Sequence, residues 1–210
     1  MKSDRQFKAI IFDLGNVLID WNPHYLFTGY FDSKEKFDYF FENVCTNAWN
    51  EEQDGGREIK IATEELVRQY PDYEKAIRDY YGRWTEMLKG PIQGTVEILR
   101  ELKQNKDLKL YALTNWSAEL FPYALEKYEF LHWFDGRVVS GEEKMRKPFP
   151  RFYQVLLDRY NLAAGDALFI DDNLRNVKAA EQMGITSIHF VSPEQLRDEL
   201  IKYGLLKTGL

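Results

Sequence analysis

The stretch Lys8-Ala9-Ile10-Ile11-Phe12-Asp13-Leu14-Gly15-Asn16-Val17-Leu18 decides the fold of the chain. Its short, isoleucine-rich apolar run predicts a strand covered on both faces, as strands of parallel sheets are. Gly15 and Asn16 then predict a tight turn. Because ligands of open α/β sheets bind beyond the carboxyl ends of the strands, we expect Asp13 to lie at the mouth of a ligand crevice.

The composition predicts a globular chain with a net negative charge. Its 210 residues are 44% hydrophobic and 15% aromatic, which supports a sizeable core and argues against disorder. The net charge of −6 disfavours nucleic acid as a partner, since a nucleic-acid-binding protein needs a basic surface. The single cysteine, Cys45, excludes an intramolecular disulfide and fits a reducing compartment. Because neither a secretion signal nor a run of membrane-spanning length is visible, we expect a cytoplasmic protein with no membrane partner.

Residues 20–90 differ from the sequence around them, because aromatic and charged residues alternate there without a clear strand pattern. Candidate helices cover 23–31, 33–43, 58–70 and 71–89, and Asp54-Gly55-Gly56-Arg57 predicts a flexible break between helices. We expect Trp21 and Trp84 to pack in the interior. We therefore predict an all-helical cap of roughly 70 residues, inserted at 20–90 into a core formed by 1–19 and 91–210.

Strands and helices alternate after the insertion. Predicted strands cover 108–113, 137–140, 167–170 and 185–191, and predicted helices cover 95–105, 117–129, 149–160, 173–183 and a last segment ending near 203. Such alternation is typical of βαβ units and a parallel sheet. The predicted fold is therefore an α/β protein with a three-layer, Rossmann-like parallel sheet core and an inserted all-helical cap.

Polar side chains follow the ends of predicted strands: Asp13, Thr114, Asn115, Asp171 and Asp172. Lys147 comes after the short strand at 137–140, directly before Pro148 and a predicted helix, and all six could converge on one edge of the sheet. Together they suit phosphoryl chemistry. A carboxylate that attacks phosphorus divides a difficult hydrolysis into two easier steps, and a hydroxyl and an ammonium group can bind the phosphoryl oxygens. Adjacent carboxylates repel one another unless a cation neutralises them, and hard oxygen ligands favour Mg²⁺.

The order of Asp13, Thr114, Lys147 and the Asp171-Asp172 pair, with a helical insertion after the first strand, resembles the haloacid dehalogenase superfamily. The resemblance covers nearly the whole chain and is to the branch with a helical cap. It implies that the Asp13 strand lies at the centre of the sheet, flanked by the strands that end at Thr114 and Asp171.

The resemblance also implies a metal site for Mg²⁺. Asp13 would be both nucleophile and metal ligand, and the carbonyl oxygen of Gly15 would be a second ligand. Asp172 would bind the metal directly, and Asp171 would bind it directly or through water.

The remaining motif residues would act on the substrate. The resemblance implies that Thr114 binds the phosphoryl group, with Asn115 beside it, and that Lys147 pairs with the nucleophile and the phosphate. We also predict a substrate-binding role for Asn16. Lys144 is the alternative if Lys147 is not the motif lysine.

Gly15 departs from the pattern, because most phosphatases of the superfamily have a second aspartate at that position as general acid and base. The string Phe12-Asp13-Leu14-Gly15-Asn16-Val17 resembles a subgroup of sugar-phosphate phosphatases that includes glucose-1-phosphate phosphatases. The expected substrate is therefore a small phosphorylated metabolite, a sugar phosphate such as a hexose 1-phosphate. The group that protonates the leaving oxygen is unassigned, and Asp20 and His24 are candidates. The competing interpretation of Asp20 is a helix-entry or turn residue, and that of His24 is a solvent-facing residue.

Alternative functions differ in what they require. A 2-haloacid dehalogenase shares the nucleophile but gains nothing from a magnesium site, so the Asp171-Asp172 pair argues against it. A phosphoacceptor signalling domain carries its acidic pair on the first strand, whereas here the pair comes last. A catalytically impaired protein that binds phosphorylated metabolites remains an alternative because of Gly15.

Two further residues have two interpretations each. Arg57 either contacts the substrate or is solvated, and Trp116 either stacks on a sugar or packs in the core.

Overall fold

A computed structural model describes residues 7–207 and contains a five-stranded parallel sheet. The strands along the chain are β1 (Ala9–Phe12), β2 (Ile19–Trp21), β3 (Leu88–Pro91), β4 (Lys109–Thr114), β5 (Gly136–Val139), β6 (Ala167–Asp171) and β7 (Thr186–His189). The order in the large sheet is β5-β4-β1-β6-β7. This confirms the expected order, with β1 central between β4 and β6.

The helices follow the predicted alternation with shorter spans. They are α1 (His24–Phe27), α2 (Lys34–Tyr39), α3 (Asn47–Asp54), α4 (Ile59–Gln69), α5 (Glu74–Gly82), α6 (Gln93–Leu102), α7 (Phe121–Lys127), α8 (Ser140–Glu143), α9 (Pro150–Arg159), α10 (Leu174–Gln182) and α11 (Pro193–Lys202). Among residues 7–207, no helix has both the length and the apolar character that crossing a membrane requires.

The central strand β1 explains the continuous apolar run. Its residues Ile10 and Phe12 pack into one hydrophobic cluster, together with side chains of α6, α7 and α11. Ala9 and Ile11 pack into a second cluster with side chains of α9 and α10. Successive strand residues point to opposite faces, so a sheet with helices on both sides needs apolar residues at every position. The three-layer core is thereby confirmed.

The insertion is helical between its two ends, but the ends themselves form a ribbon. Strands β2 and β3 pair antiparallel, with Ile19 opposite Pro91. The predicted helix at 71–89 is wrong: it is broken into a 3₁₀ turn, α5 and a second 3₁₀ turn, with α5 ending at Gly82, a poor helix former. The division into a core and a cap at residues 20 and 90 stays a prediction.

Helix α3 is the main element that sequence reasoning missed. Its N-cap is Thr46, whose hydroxyl accepts a hydrogen bond from Trp49 N at 3.1 Å. It ends at Asp54, so the supposed flexible break at 54–57 begins inside a helix. The threonine cap lies nine residues before the Gly55-Gly56 pair, which is the stronger local signal of this segment.

Gly141 lies in α8, where this helix packs against the loop that follows β4. Its N–H donates to Trp116 O at 3.1 Å, and a Cβ added there would lie 2.2 Å from Ala118 N. We expect Gly141→Ala to lower the free energy of unfolding by about 1–3 kcal/mol, because α8 and the loop after β4 must move apart to make room for the added methyl group. Urea denaturation measures this. Gly82→Ala is the matched control, since its added Cβ meets no atom within 4 Å, and an equal loss in both variants would contradict the account.

Candidate active site

Asp13 follows the central strand and is 7% exposed. Its N–H donates to Ile170 O at 2.8 Å, which continues the pairing of β1 with β6, and its Oδ1 accepts from Leu14 N at 2.7 Å. Burial and the nearby carboxylates of Asp171 and Asp172 raise the pKa of Asp13 well above its usual value, although Lys147 acts in the opposite direction. The carboxyl group therefore sits where a further positive charge would favour its ionised form.

Lys147 joins two of the carboxylates. Its Nζ lies 2.8 Å from Asp13 Oδ2 and 2.7 Å from Asp171 Oδ2, and the side chain is completely buried. Burial alone would lower the pKa of Lys147, but the two carboxylates outweigh it and raise the pKa. Lys144, the alternative, is exposed. The lysine that contacts Asp13 is thus Lys147.

Asn115 holds the backbone of Lys147 rather than its side chain. The Asn115 amide donates to Lys147 O at 3.0 Å and accepts from Lys147 N at 2.8 Å. This two-point contact ties the loop after β4 to the segment that carries the lysine. Asn115 also lines the pocket described below, where its predicted role in substrate binding stays a prediction.

The acidic pair lies at the end of β6. Asp171 is fully buried, and its oxygens accept from Lys147, from Asn173 N at 2.8 Å and from Asn176 Nδ2 at 3.1 and 3.2 Å. Asp172 is partly buried. Burial and the charge of Asp171 raise the pKa of Asp172, while Lys147 and Asn16 lower it.

Three carboxylates are close enough to share a cation. Asp13, Asp171 and Asp172 each offer an oxygen, and these oxygens lie within 4.8 Å of one another. The donors are hard oxygens, as Mg²⁺ prefers. The raised pKa values of Asp13 and Asp172 indicate that the single ammonium of Lys147 does not neutralise the cluster. The residues present therefore fit a divalent cation.

Thr114 ends β4 beside this cluster. It is 1% exposed, and its Oγ1 is a buried side-chain atom for which the described residues provide no hydrogen-bond partner. Buried hydroxyls are normally paired, so an unpaired one next to a carboxylate cluster suits a ligand oxygen. This placement fits the predicted phosphoryl-binding role.

Gly15 and Asn16 form the turn after Asp13. A Cβ added to Gly15 would meet no atom within 4 Å, so the space that a second aspartate would fill is open. Asn16 has a φ of 54°, a conformation that asparagine tolerates. Its Oδ1 accepts from Trp21 N at 3.2 Å, and the side chain also lowers the pKa of nearby Asp172. Its substrate-binding role stays a prediction.

Helix α3 of the insertion is docked on the core above the site. Glu51 Oε2 lies 2.8 Å from Arg146 Nη1, and Glu51 Oε1 lies 2.5 Å from Arg175 Nη2. At the end of the helix, the Ser140 hydroxyl donates to the Asp54 carbonyl. Both arginines and the serine belong to the core, so the carboxyl-terminal half of α3 is fixed relative to the sheet edge.

A pocket lies between α3 and the sheet edge and reaches Gly15 and Asn115. It encloses about 430 Å³, including space open to solvent. Aromatic and apolar side chains form most of its wall: Trp21, Tyr81, Trp84, Trp116 and Leu120. Trp21 and Trp84 thus line the pocket in addition to packing against the core. Trp116 is buried, as the packing interpretation requires, and it also lines the pocket, where stacking on a sugar stays a prediction.

Two polar residues of the pocket escaped sequence reasoning, Asn50 and Asp54. Asn50 Nδ2 donates to Asp54 Oδ2 at 3.1 Å. Burial, with the charge of Glu51 adding to it, raises the pKa of Asp54 to about 7. Asp54 directly precedes the Gly55-Gly56 pair, and an acidic residue beside such a break was the one signal that could have drawn it to notice.

Three earlier candidates lie elsewhere. Asp20 accepts from the Tyr25 hydroxyl at 2.9 Å, and exposed His24 packs against the rings of Phe37 and Phe41. Neither lines the pocket. Arg57 pairs with Glu52 and Glu65 inside the insertion, so it is neither free in solvent nor at the pocket.

Known proteins resemble this chain over most of its length. The family model for haloacid dehalogenase-like hydrolases matches residues 10–190. A sesquiterpene phosphatase of Aspergillus oryzae is 31% identical over 183 residues, covering 87% of this chain and 89% of that protein. A phosphorylated carbohydrates phosphatase of Thermotoga maritima is 26% identical over 186 residues, covering 88% and 85%.

A solved structure shares the fold. It is that of an enzyme of this family from Bacteroides thetaiotaomicron, in complex with magnesium and inorganic phosphate. The TM-score is 0.68 at 18% identity, over 89% of this chain and 95% of that one. The chain therefore belongs to the haloacid dehalogenase-like hydrolase family, and within it to the phosphatases.

Proposed function

We propose that this phosphatase is magnesium-dependent and hydrolyses a small phosphorylated metabolite through an aspartyl phosphate on Asp13. The observation that carries the proposal is the contact of 2.8 Å between Lys147 Nζ and Asp13 Oδ2, inside a cluster of three carboxylates. A carboxylate held this way has its oxygens fixed at the edge of the sheet. Lys147 favours its ionised, nucleophilic form.

The chain's own residues support two successive steps. In the first, an Asp13 oxygen attacks phosphorus and the bond from phosphorus to the ester oxygen breaks. The Thr114 hydroxyl and the Lys147 ammonium bind phosphoryl oxygens as their charge redistributes. In the second, water attacks the phosphorus of the aspartyl phosphate and frees Asp13. Helix α3, docked over the pocket, limits the access of other water.

The cation would be held by Asp13, Asp172 and the Gly15 carbonyl oxygen, with Asp171 acting through water or through Lys147. It would neutralise the carboxylates and offset the charge of the phosphoryl group. The Asp171 oxygens are already occupied by Lys147, Asn173 and Asn176, which supports an indirect role for this residue.

We expect Asp172→Ala to weaken Mg²⁺ binding and activity together, because it removes a partly buried carboxylate from the cluster. Thermal unfolding with and without MgCl₂ measures binding directly, since saturation at about 100 times Kd stabilises the native state by about 2.7 kcal/mol. Asp198→Ala, on the exposed face of α11, is the control. Full activity of the native protein in excess chelator would contradict the metal assignment.

For the substrate, we propose a sugar phosphate, with a hexose 1-phosphate as the first candidate. Aromatic walls with a few polar groups can stack on the apolar face of a sugar while hydrogen-bonding its hydroxyls. The similar Thermotoga maritima protein, named for phosphorylated carbohydrates, supports this class.

A second candidate is the monophosphate of an apolar alcohol. The number of aromatic and apolar side chains in the pocket wall favours it, and so does the likeness to a sesquiterpene phosphatase. The two classes differ in water solubility and in the polar contacts that they need, so one panel of substrates separates them.

Phosphate release from a panel of sugar phosphates and isoprenoid monophosphates tests the substrate class, with MgCl₂ and with chelator. We expect turnover of at least one class only with magnesium. Halide release from 2-chloropropionate is the control reaction. Its occurrence without any phosphatase activity would replace the proposal with the dehalogenase alternative.

A further inference from the structure

We propose that Asp54 donates a proton to the leaving oxygen, a role that Gly15 cannot fill because glycine has no side chain. This inference rests on the proposed phosphatase mechanism and adds to it. The donor comes from the inserted cap rather than from the turn after the nucleophile. Asp54 thereby becomes a catalytic residue of the proposed reaction.

The position of Asp54 supports this role. It lines the same pocket as Gly15 and Asn115. Gly15 follows the nucleophile Asp13 by two residues, and Asn115 directly follows the phosphoryl-binding Thr114. The pocket is open at Gly15, where an added Cβ would meet nothing within 4 Å. The ester oxygen of a bound substrate would therefore point from the phosphoryl site into this open space, toward the cap.

Asp54 is held by contacts with two parts of the chain. The backbone N–H of Ser117, three residues after Thr114, faces its carboxylate and lowers the pKa of that group. Asn50 Nδ2 donates to it from the same helix at 3.1 Å. The backbone carbonyl of Asp54 accepts from the Ser140 hydroxyl. Such fixed geometry is what a general acid needs.

The surroundings keep the carboxyl group protonated to an unusually high pH. Its pKa is raised to about 7, first by burial and then by the charge of Glu51, whereas the Ser117 N–H, Arg146 and Lys147 lower it. The phenols of Tyr80 and Tyr81, on α5, also face it. A carboxylic acid that titrates near neutral pH can both donate and accept a proton during one catalytic cycle.

The steps balance. As the Asp13 oxygen bonds to phosphorus, the bond from phosphorus to the ester oxygen breaks, and that oxygen takes the Asp54 proton and leaves as an alcohol. The Asp54 carboxylate then takes a proton from the water that attacks the aspartyl phosphate. Phosphate leaves, Asp13 is restored as a carboxylate and Asp54 as an acid.

The test compares the native protein with Asp54→Asn on phosphate esters graded by leaving-group pKa, with MgCl₂ present. The quantity measured is kcat/KM, which covers the steps up to departure of the alcohol. We expect a loss of about 10²–10⁴-fold for alkyl and sugar esters, the usual share of general acid catalysis. We expect little loss for para-nitrophenyl phosphate, whose phenolate leaves without a proton.

The pH profile gives a second readout. With the native protein, kcat/KM for an alkyl ester should fall as the pH rises through about 7, because Asp54 loses its proton there. Asp54→Asn should lack this decline. Asn50→Ala removes a donor that favours the carboxylate, so it should move the decline to higher pH.

Glu52→Gln is the matched control, since Glu52 lies on the same helix but pairs with Arg57. An equal loss of kcat/KM for every ester in Asp54→Asn, or an unchanged pH profile, would overturn the role of Asp54 while leaving the phosphatase mechanism intact. Absence of turnover by the native protein on every phosphate ester would overturn the proposed function itself.

Discussion

Asp13→Asn should lower kcat by at least about 10³-fold, because removal of a nucleophile commonly costs that much or more. The amide is a poor nucleophile and carries no charge for a cation. The fold should persist, since the amide oxygen can still accept the hydrogen bond from Leu14 N and Lys147 keeps its contact with Asp171. Steady-state phosphate release and urea denaturation measure the two effects.

Asp158→Asn is the control for this variant, because Asp158 is exposed on α9 and accepts a hydrogen bond from Gln154 on the same helix. Mass spectrometry of the tryptic peptide must exclude deamidation of the new amide. A variant that is free of deamidation and retains a substantial share of native activity would show that Asp13 is not the nucleophile.

Lys147→Met should lower the free energy of unfolding by about 3–5 kcal/mol in chelator, the scale for removing one partner of a buried ion pair. The change leaves the Asp13 and Asp171 carboxylates close together without the ammonium that lies 2.8 and 2.7 Å from them. The loss should shrink as the pH falls, because protonation of either carboxylate removes its unpaired charge. Urea denaturation at several pH values measures it.

Exposed Lys144 provides the matched control variant, Lys144→Met. We expect Lys147→Met to lose phosphatase activity as well, since no ammonium then binds the phosphoryl oxygens, while Lys144→Met keeps it. A change in stability below about 1 kcal/mol for Lys147→Met, the scale of an exposed ion pair, would mean that Lys147 does not form a stabilising buried ion pair with Asp13 and Asp171.

The parallel core was predictable because its signals are local. The apolar run of β1 reflects burial on two faces, and polar residues directly after β1, β4 and β6 meet at one sheet edge by topology alone. Lys147 could be preferred to Lys144 only through its place in the ordered motif set. The structure adds that Asn115 clamps its backbone, a contact between residues 32 positions apart that no pattern predicts.

The helical segment between β2 and β3 was harder to predict, because its contacts with the rest of the chain follow no sequence period. Helix α3 is short, and its buried residues Trp49 and Gln53 give only a weak apolar face. The glycine pair after Asp54 predicts a break correctly but says nothing about which side chain points into the pocket. The role of Asp54 depends on Ser117 and Ser140, which the fold brings to it from distant parts of the sequence.

Trapping the covalent intermediate tests the central claim most directly. The native protein with MgCl₂ and excess substrate is quenched with acid during the first turnover, and borohydride then reduces any acyl phosphate. Peptide mapping should find the reduced side chain at Asp13, formed only with substrate and absent from Asp13→Asn. Continued phosphate release without covalent phosphate at Asp13 at any quench time, or with phosphate on another residue, would contradict the aspartyl-phosphate mechanism.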